Sequence, residues 1–337
     1  MPFPFRRVGR ATYLGRGGGV SRWRLFCTFE AKRETLEMSN NISTPSNAPA
    51  TAYNKKVAIV GAGSMGRSIA ICLAMHQIPT VIQARSLERQ KRAIPLLEQS
   101  LAECGEIFGW NEDEQKELLN RIKVTVDNAD LALADIVIEA TSGTLEEHKE
   151  LYRDLDAVLR EDTVIASITS SISITELSNA TERPSLVAGM HFFMPVPLID
   201  LVEIVSAQHT VQETLDQIQE LCDAMGKETV YVEDSPGYIV NRMLIPMINE
   251  AITELAQGIG SIEDIDRAMR IGANHPMGPL ELADWIGLDT CLEILEGLFA
   301  EFMDSKYRPH PLLRRKVRAG QLGRKSGVGF YRYKEEE

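Results

Sequence analysis

The stretch Lys56-Val57-Ala58-Ile59-Val60-Gly61-Ala62-Gly63-Ser64-Met65-Gly66 decides the fold. Its first half is a short apolar run rich in β-branched residues, which reads as a buried strand. The run stops at Gly-x-Gly-x-x-Gly, and helix formers continue to about Met75. In this strand–loop–helix context each glycine has its own reason. Gly61 permits a tight turn, Gly63 lets the backbone approach a pyrophosphate, and Gly66 allows close packing of helix on sheet. The helix start at Ser64 and Met65 adds N–H donors and positive potential. The motif predicts a dinucleotide site.

Working outward, Thr80-Val81-Ile82-Gln83 reads as a second strand. Apolar runs recur at Ile136 to Ile138, Val164 to Ala166, Val187 to Met190, Leu201 to Val205 and Val230 to Val232. Helical stretches lie between several of them, notably Leu145 to Leu159 and Val211 to Met225. Strands that alternate with helices imply a mostly parallel sheet covered on both faces. After Val232 the strands stop at the turn cluster Asp234-Ser235-Pro236-Gly237, and helices broken at Gly258 to Gly260 and at Asn274 to Pro279 follow. The expected class is α/β: a Rossmann-like, doubly wound, mostly parallel sheet followed by an all-α C-terminal domain. Residues 54–233 form the dinucleotide-binding domain in this reading and 234–333 the helical one.

The front of the chain differs in composition. Residues 1–53 hold eight Lys/Arg against three Glu, while the rest of the 337 residues hold 28 against 45. Six arginines and no acid fall within residues 1–29, and Ser39 to Ala52 is polar and rich in Ser, Asn, Thr, Ala and Pro. Such a segment buries too little apolar surface to order itself, so residues 1–53 read as a disordered leader. An Arg-rich, acid-free start resembles an organelle transit peptide; Gly15 to Gly19 spoil an amphipathic helix, and Met38 offers an alternative start. The expected compartment is the cytoplasm, or the mitochondrial matrix if the leader is a transit peptide. An acidic body repels nucleic acid, and no stretch of about 18 apolar residues offers a membrane span. Five widely spaced cysteines with no CxxC read as reduced thiols, Cys72 and Cys104 on helices.

The end of the second strand bears on the cofactor. A NAD site expects Asp or Glu there, about 20 residues past the glycines, to hold the ribose 2′-hydroxyl. The sequence instead reads Gln83-Ala84-Arg85-Ser86, and Arg89, Lys91 and Arg92 follow. With Ala84 at the acidic position and Arg85 and Ser86 beside it, a 2′-phosphate is no longer repelled, so NADP is expected and NAD stays possible. The competing reading is a solvated, basic helix start.

Reacting groups gather at the carboxyl edge of an open α/β sheet. His191 follows the strand Val187 to Met190 and precedes Phe192-Phe193-Met194-Pro195-Val196-Pro197, which places the imidazole at that edge. Glu203, twelve residues on, lies within Leu201-Val202-Glu203-Ile204-Val205. A carboxylate among such neighbours needs a partner, and His191 is the obvious one. The alternatives are a structural histidine and an edge-strand charge facing water. Ser170 follows another strand end, and Ser173-x-x-Glu176 reads as a capping box. Asn241 falls early in the first helix of the second domain, where its amide reaches a substrate oxygen or serves only as a polar helix residue. No ligand cluster for a metal is found.

Taken together these residues resemble the L-3-hydroxyacyl-CoA dehydrogenase family of fatty acid metabolism, 3-hydroxybutyryl-CoA type, from about Lys56 to Tyr333. Besides the glycine loop and His191 to Pro197, the resemblance rests on Asp234-Ser235-Pro236-Gly237-Tyr238-Ile239-Val240-Asn241-Arg242, His275-Pro276-Met277-Gly278-Pro279-Leu280-Glu281-Leu282-Ala283-Asp284 and the tail Gly320 to Tyr331. It implies an active site between the domains, a homodimer formed by the helical domain, and an acyl-CoA substrate. His191 is then the base, Glu203 its orienting partner, and Ser170 and Asn241 contact the reacting oxygen. The chain departs from the family pattern at Met194 and Ile168, each for Asn, at Gly143 for Glu, at His148 for Lys, and at Ala84 for the cofactor acid. The departures keep two further readings open: a dehydrogenase of carrier-protein-bound or free 3-hydroxy acids, and a non-catalytic nucleotide-binding relative.

Overall fold

The computed structural model describes residues 53–333; residues 1–52 of the expected leader, with Cys27, lie outside the described residues. Eight strands make one sheet: β1 (Val57–Val60), β2 (Thr80–Gln83), β3 (Ile122–Thr125), β4 (Ile136–Glu139), β5 (Val164–Ser167), β6 (Val187–Phe192), β7 (Leu201–Ser206) and β8 (Glu228–Glu233). Their order is β3-β2-β1-β4-β5-β6-β7-β8. Every pairing is parallel except β6 with β7, which is antiparallel. The strand order reverses between β1 and β4, and the carboxyl ends on either side of that point open a crevice for a ligand.

Burial explains the sequence pattern. β1, β4, β5 and β6 are buried at every position, so they read as unbroken apolar runs. β8 is the open edge and is mostly exposed. Helix α1 (Ser64–Met75) is apolar on most of its surface because Ile69 to Ala74 are all buried between the sheet and its covering helices. A hairpin of α2 (Leu87–Phe108) and α3 (Glu112–Asn120) leads to β3. α4 (Leu145–Val158), the short α5 (Ile174–Ser178) and α6 (Gln212–Ala224) complete the covering.

Three expectations need correction. β3 was not anticipated: its polar Lys123 interrupts a four-residue strand at the sheet's other edge, so no apolar run marks it. β6 continues through Phe192, so His191 lies inside the strand rather than after it. The Ser173 cap forms, with Ser173 accepting from the Glu176 N–H, but Glu176 does not return the bond. Ser173 instead donates to Asp234, which also accepts from the Thr175 N–H. Full capping boxes stand at Asn111/Glu114 and Thr144/Glu147.

Beyond β8 come α7 (Val240–Gln257), α8 (Ile262–Gly272), α9 (Pro279–Ile286), α10 (Leu288–Phe302) and α11 (Pro311–Arg318). They share a core of Ile245, Ile248, Leu280, Leu288 and Leu295. Two buried carboxylates organise the turns around it. Asp266 accepts from the Leu280 and Glu281 N–H groups at the start of α9, and Asp284 from the Phe330 and Tyr331 N–H groups of the tail. A side chain at Gly329 would stand 1.9 Å from Asp284, which accounts for the glycine in the tail motif. No helix among the described residues is long and apolar enough to cross a membrane. Cys72, Cys104, Cys222 and Cys291 are free, and burial pushes the Cys72 and Cys104 thiols up to about 11 and that of Cys291 to about 12.

Candidate active site

The antiparallel β6–β7 pair sets His191 directly opposite Glu203. Directly opposed residues share a face and stand close. The two side chains meet: His191 Nδ1 lies 2.6 Å from Glu203 Oε2. Glu203 Oε1 accepts from the Ile239 and Val240 N–H groups, each at 3.0 Å. Those amides open α7 and have no partner within the helix, so a carboxylate there meets both free donors and the positive end of the helix. Glu203 is fully buried. Burial alone would raise its pKa; the hydrogen bonds from His191, Val240 and Ile239 and the charge of the imidazole outweigh that, and the carboxyl lies below its ordinary 4.5.

The imidazole is itself buried. Phe193 packs edge-on to it with centroids 4.8 Å apart, and Tyr238 lies tilted at 5.2 Å. When the ring is neutral, the carboxylate facing Nδ1 assigns the proton to that nitrogen and leaves the lone pair on Nε2. Nε2 has no hydrogen-bond partner among the described residues. That is the form a general base requires.

Ser170 and Asn241 do not bond to His191. Ser170 is half-buried on the loop after β5, which runs parallel to β6 and leaves the sheet at the same edge. Asn241 is the second residue of α7, next to the Val240 amide that holds Glu203, and is buried. Neither side chain is engaged in a hydrogen bond with the described residues.

The glycine loop has the shape of a pyrophosphate cradle. Gly61 takes a φ of +116°, and a Cβ there would meet Ala140 O at 2.4 Å; one at Gly66 would meet Gly61 O at 2.0 Å. A Cβ at Gly63 would meet nothing within 4 Å, so space opens at the glycine whose backbone must approach the phosphates. Gly63 caps α1 without any side-chain bond, leaving the amides at Ser64 and Met65 for an anion. Ala84 is buried at the end of β2, while Arg85 and Ser86 are exposed. Ser86 also caps α2, accepting from the Arg89 N–H. Glu147 lies near enough for the Arg85 charge to lower it, after the larger effect of its capping bonds with Thr144.

Sequence reasoning missed a second buried carboxylate at this edge of the sheet. Glu139 ends β4 and is 1% exposed. Its Oε1 accepts from the Thr141 amide at 2.7 Å and hydroxyl at 2.5 Å, and its Oε2 accepts from Ser167 Oγ at 2.8 Å. His148, buried beside it, presents Nε2 3.6 Å from Oε1. The signal was present, since Ile136-Val137-Ile138-Glu139 sets an acid at the end of an apolar run much as Leu201 to Val205 encloses one.

The fold, its glycine cradle and the paired imidazole at the sheet edge define a nicotinamide-dependent oxidoreductase. Two family models divide the chain: 3-hydroxyacyl-CoA dehydrogenase, NAD binding domain, matches residues 56–235, and 3-hydroxyacyl-CoA dehydrogenase, C-terminal domain, matches residues 237–333. The chain belongs to the 3-hydroxyacyl-CoA dehydrogenase family and is an NAD(P)-dependent oxidoreductase acting on a CH–OH group. It is 44% identical over 278 residues to a 3-hydroxybutyryl-CoA dehydrogenase of Clostridioides difficile, covering 82% of this chain and 99% of that one. The human mitochondrial hydroxyacyl-coenzyme A dehydrogenase is 38% identical over 315 residues, 89% of this chain and 99% of its own. The crystal structure of (S)-3-hydroxybutyryl-CoA dehydrogenase from Ralstonia eutropha superposes with a TM-score of 0.77 at 42% identity, covering 83% of this chain and 99% of that one. Membership of this enzyme family sets aside the reading as a non-catalytic relative.

The lowered Glu203 pKa links the pair to stability. A carboxyl depressed in the folded state contributes fully above its unfolded value, near 4.5, and the contribution is lost as the pH falls through the lower folded value. The melting temperature of the wild type is therefore expected to fall more steeply with acid below pH 4.5 than that of Glu203→Gln. Parallel melting curves across that range would show that the carboxylate is not held as described.

Proposed function

We propose that this chain is an NADP(H)-preferring 3-hydroxyacyl-CoA dehydrogenase of 3-hydroxybutyryl type, with His191 as its general base. The observation that carries the reading is the His191–Glu203 hydrogen bond, with Glu203 held in turn by the first amides of α7. Gly61, Gly63 and Gly66 with the Ser64 and Met65 amides would hold the dinucleotide, and Ala84, Arg85 and Ser86 its adenosine ribose. When bound, the nicotinamide supplies hydride exchange with the carbon that carries the hydroxyl. In the oxidative direction Nε2 of His191 removes the hydroxyl proton, and Glu203 stabilises the imidazolium that results. In the reductive direction the imidazolium returns the proton to the oxygen. Ser170 and Asn241 donate to that oxygen and stabilise its developing charge.

Residues 54–233 serve as the dinucleotide-binding domain in this proposal, and 234–333 as the domain that closes the substrate cleft and joins two copies. Exposed apolar side chains support a homodimer through the helices: Met243, Ile259, Ile271 and Met303 are each more than two-thirds exposed. Light scattering is expected to give twice the chain mass, and a monomer at micromolar concentration would contradict this. The cytoplasm is the proposed compartment, or the mitochondrial matrix if residues 1–53 are a transit peptide.

A second reading keeps the chemistry and changes the carrier. Met194, 45% exposed just past β6, and Gly143 and Ile168 at the same sheet edge stand where the family pattern has Asn, Glu and Asn. They favour a carrier-protein-bound or free 3-hydroxy acid if the CoA thioester is not turned over.

Reduction of acetoacetyl-CoA, followed by loss of NADPH absorbance, is the deciding assay. Turnover is expected, and His191→Gln should cost about 10²- to 10⁴-fold in kcat with cofactor binding retained. Silence from a folded, cofactor-bound wild type would favour the second reading, and near-normal turnover by His191→Gln would remove the base assignment. For the cofactor, kcat/KM is expected to be higher with NADPH than NADH, and Ala84→Asp should shift the preference toward NADH. A wild type already faster with NADH would overturn the NADP reading.

A further inference from the structure

Tyr238 occupies the joint between sheet and helices with a φ of +48°, a backbone conformation a tyrosine keeps only when its surroundings hold it there. The side chain is buried. Its hydroxyl donates to the Thr169 carbonyl at 3.1 Å, and its ring lies against His191 with centroids 5.2 Å apart. Burial, with the nearby charges of Asp234 and Glu203, pushes the phenol far above its ordinary value, so it stays a donor at any working pH.

The Thr169 carbonyl belongs to the peptide whose nitrogen is that of Ser170. A hydrogen bond to that oxygen fixes the rotation of the peptide plane from which Ser170 departs. The other side of the loop is also held. The Thr169 N–H donates to Ser167 Oγ at 3.3 Å, and Ser167 Oγ donates to the buried Glu139 at 2.8 Å. Thr169 Oγ1 accepts from the Ser171 and Ile172 N–H groups at 3.3 and 3.1 Å. The backbone on both sides of Ser170 is thus tied down, while its own hydroxyl has no hydrogen-bond partner among the described residues.

We propose that Tyr238 is a positioning residue: its hydroxyl orients the Thr169–Ser170 peptide and so sets the Ser170 hydroxyl in register with the imidazole that the same ring supports. The proposal rests on the reading of His191 as base and Ser170 as donor to the reacting oxygen. It adds a residue that acts on both at once, from the segment whose next two amides hold Glu203.

Tyr238→Phe keeps the ring and removes only the hydroxyl. At saturating acetoacetyl-CoA and NADPH, kcat is expected to fall about three- to tenfold, the worth of one neutral hydrogen bond. Cofactor affinity by fluorescence titration should stay at the wild-type value, while the melting temperature falls by the few degrees that one lost buried hydrogen bond costs. In a Ser170→Ala background the same change should cost nothing further, because the hydroxyl acts through Ser170. Wild-type kcat in Tyr238→Phe, or an undiminished loss in the Ser170→Ala background, overturns the proposal and leaves the activity reading intact. A fall in kcat accompanied by weaker cofactor binding marks general loosening and overturns it too. A wild type without turnover on the thioester overturns the activity reading, and the proposal with it.

Discussion

A carboxylate with no water around it must find donors or give up its charge. Glu203 finds three: the imidazole N–H from the neighbouring strand and two amides from the first helix of the following segment. An isolated buried charge would cost several kcal/mol or take up a proton instead. Much of the chain's arrangement follows from satisfying this one group. The reversal of β7 against β6 brings it opposite the histidine. The turn from Asp234 to Gly237 brings the start of α7 over it, and Asp234 secures that turn by accepting from Ser173 and Thr175. The bonds that orient the imidazole are also those that join the sheet to the helices.

The sheet order puts the remaining parts within reach. β1 and β4 flank the switch point, so the glycine loop and the Glu139 cluster stand side by side, as the 2.4 Å approach of a Gly61 Cβ to Ala140 O shows. β5 and β6 continue the same edge with the serine loop and the histidine. Helix α1 is tied to the loop after His191 by Ser68, which accepts from the Val196 N–H. Lys227, at the start of β8, donates to the Val196 and Ile199 carbonyls of that same loop. The glycine loop and the imidazole that Glu203 holds thus share one rim of one sheet.

Most of this was legible where residue type and position combine. The glycine loop declared strand, turn and helix at once, and Glu203 declared a partner because a carboxylate inside Leu-Val-Glu-Ile-Val has few places to go. The strand pairing that joins it to His191 was not legible, since register is fixed by tertiary contacts rather than by local pattern. Neither was the role of the two amides, because backbone donors leave no mark in a sequence. Glu139 carried much the same signature as Glu203 and passed unnoticed, having no motif residue at a telling distance. β3 and the reach of β6 through Phe192 were lost for a simpler reason: four residues at an edge, and an aromatic-rich strand end, give no period to read.

β8 pairs with β7 on one side only, and its other side is an open edge among the described residues, of a kind that invites another strand. Its sequence, Glu228-Thr229-Val230-Tyr231-Val232-Glu233, is apolar in the middle and acidic at both ends. Five residues apart, Glu228 and Glu233 fall on opposite faces of the strand, so a strand added here would meet a carboxylate on each face. Exposed charges at an edge disfavour such an addition. The edge is therefore guarded against fibril-like growth on both faces by the same two residues.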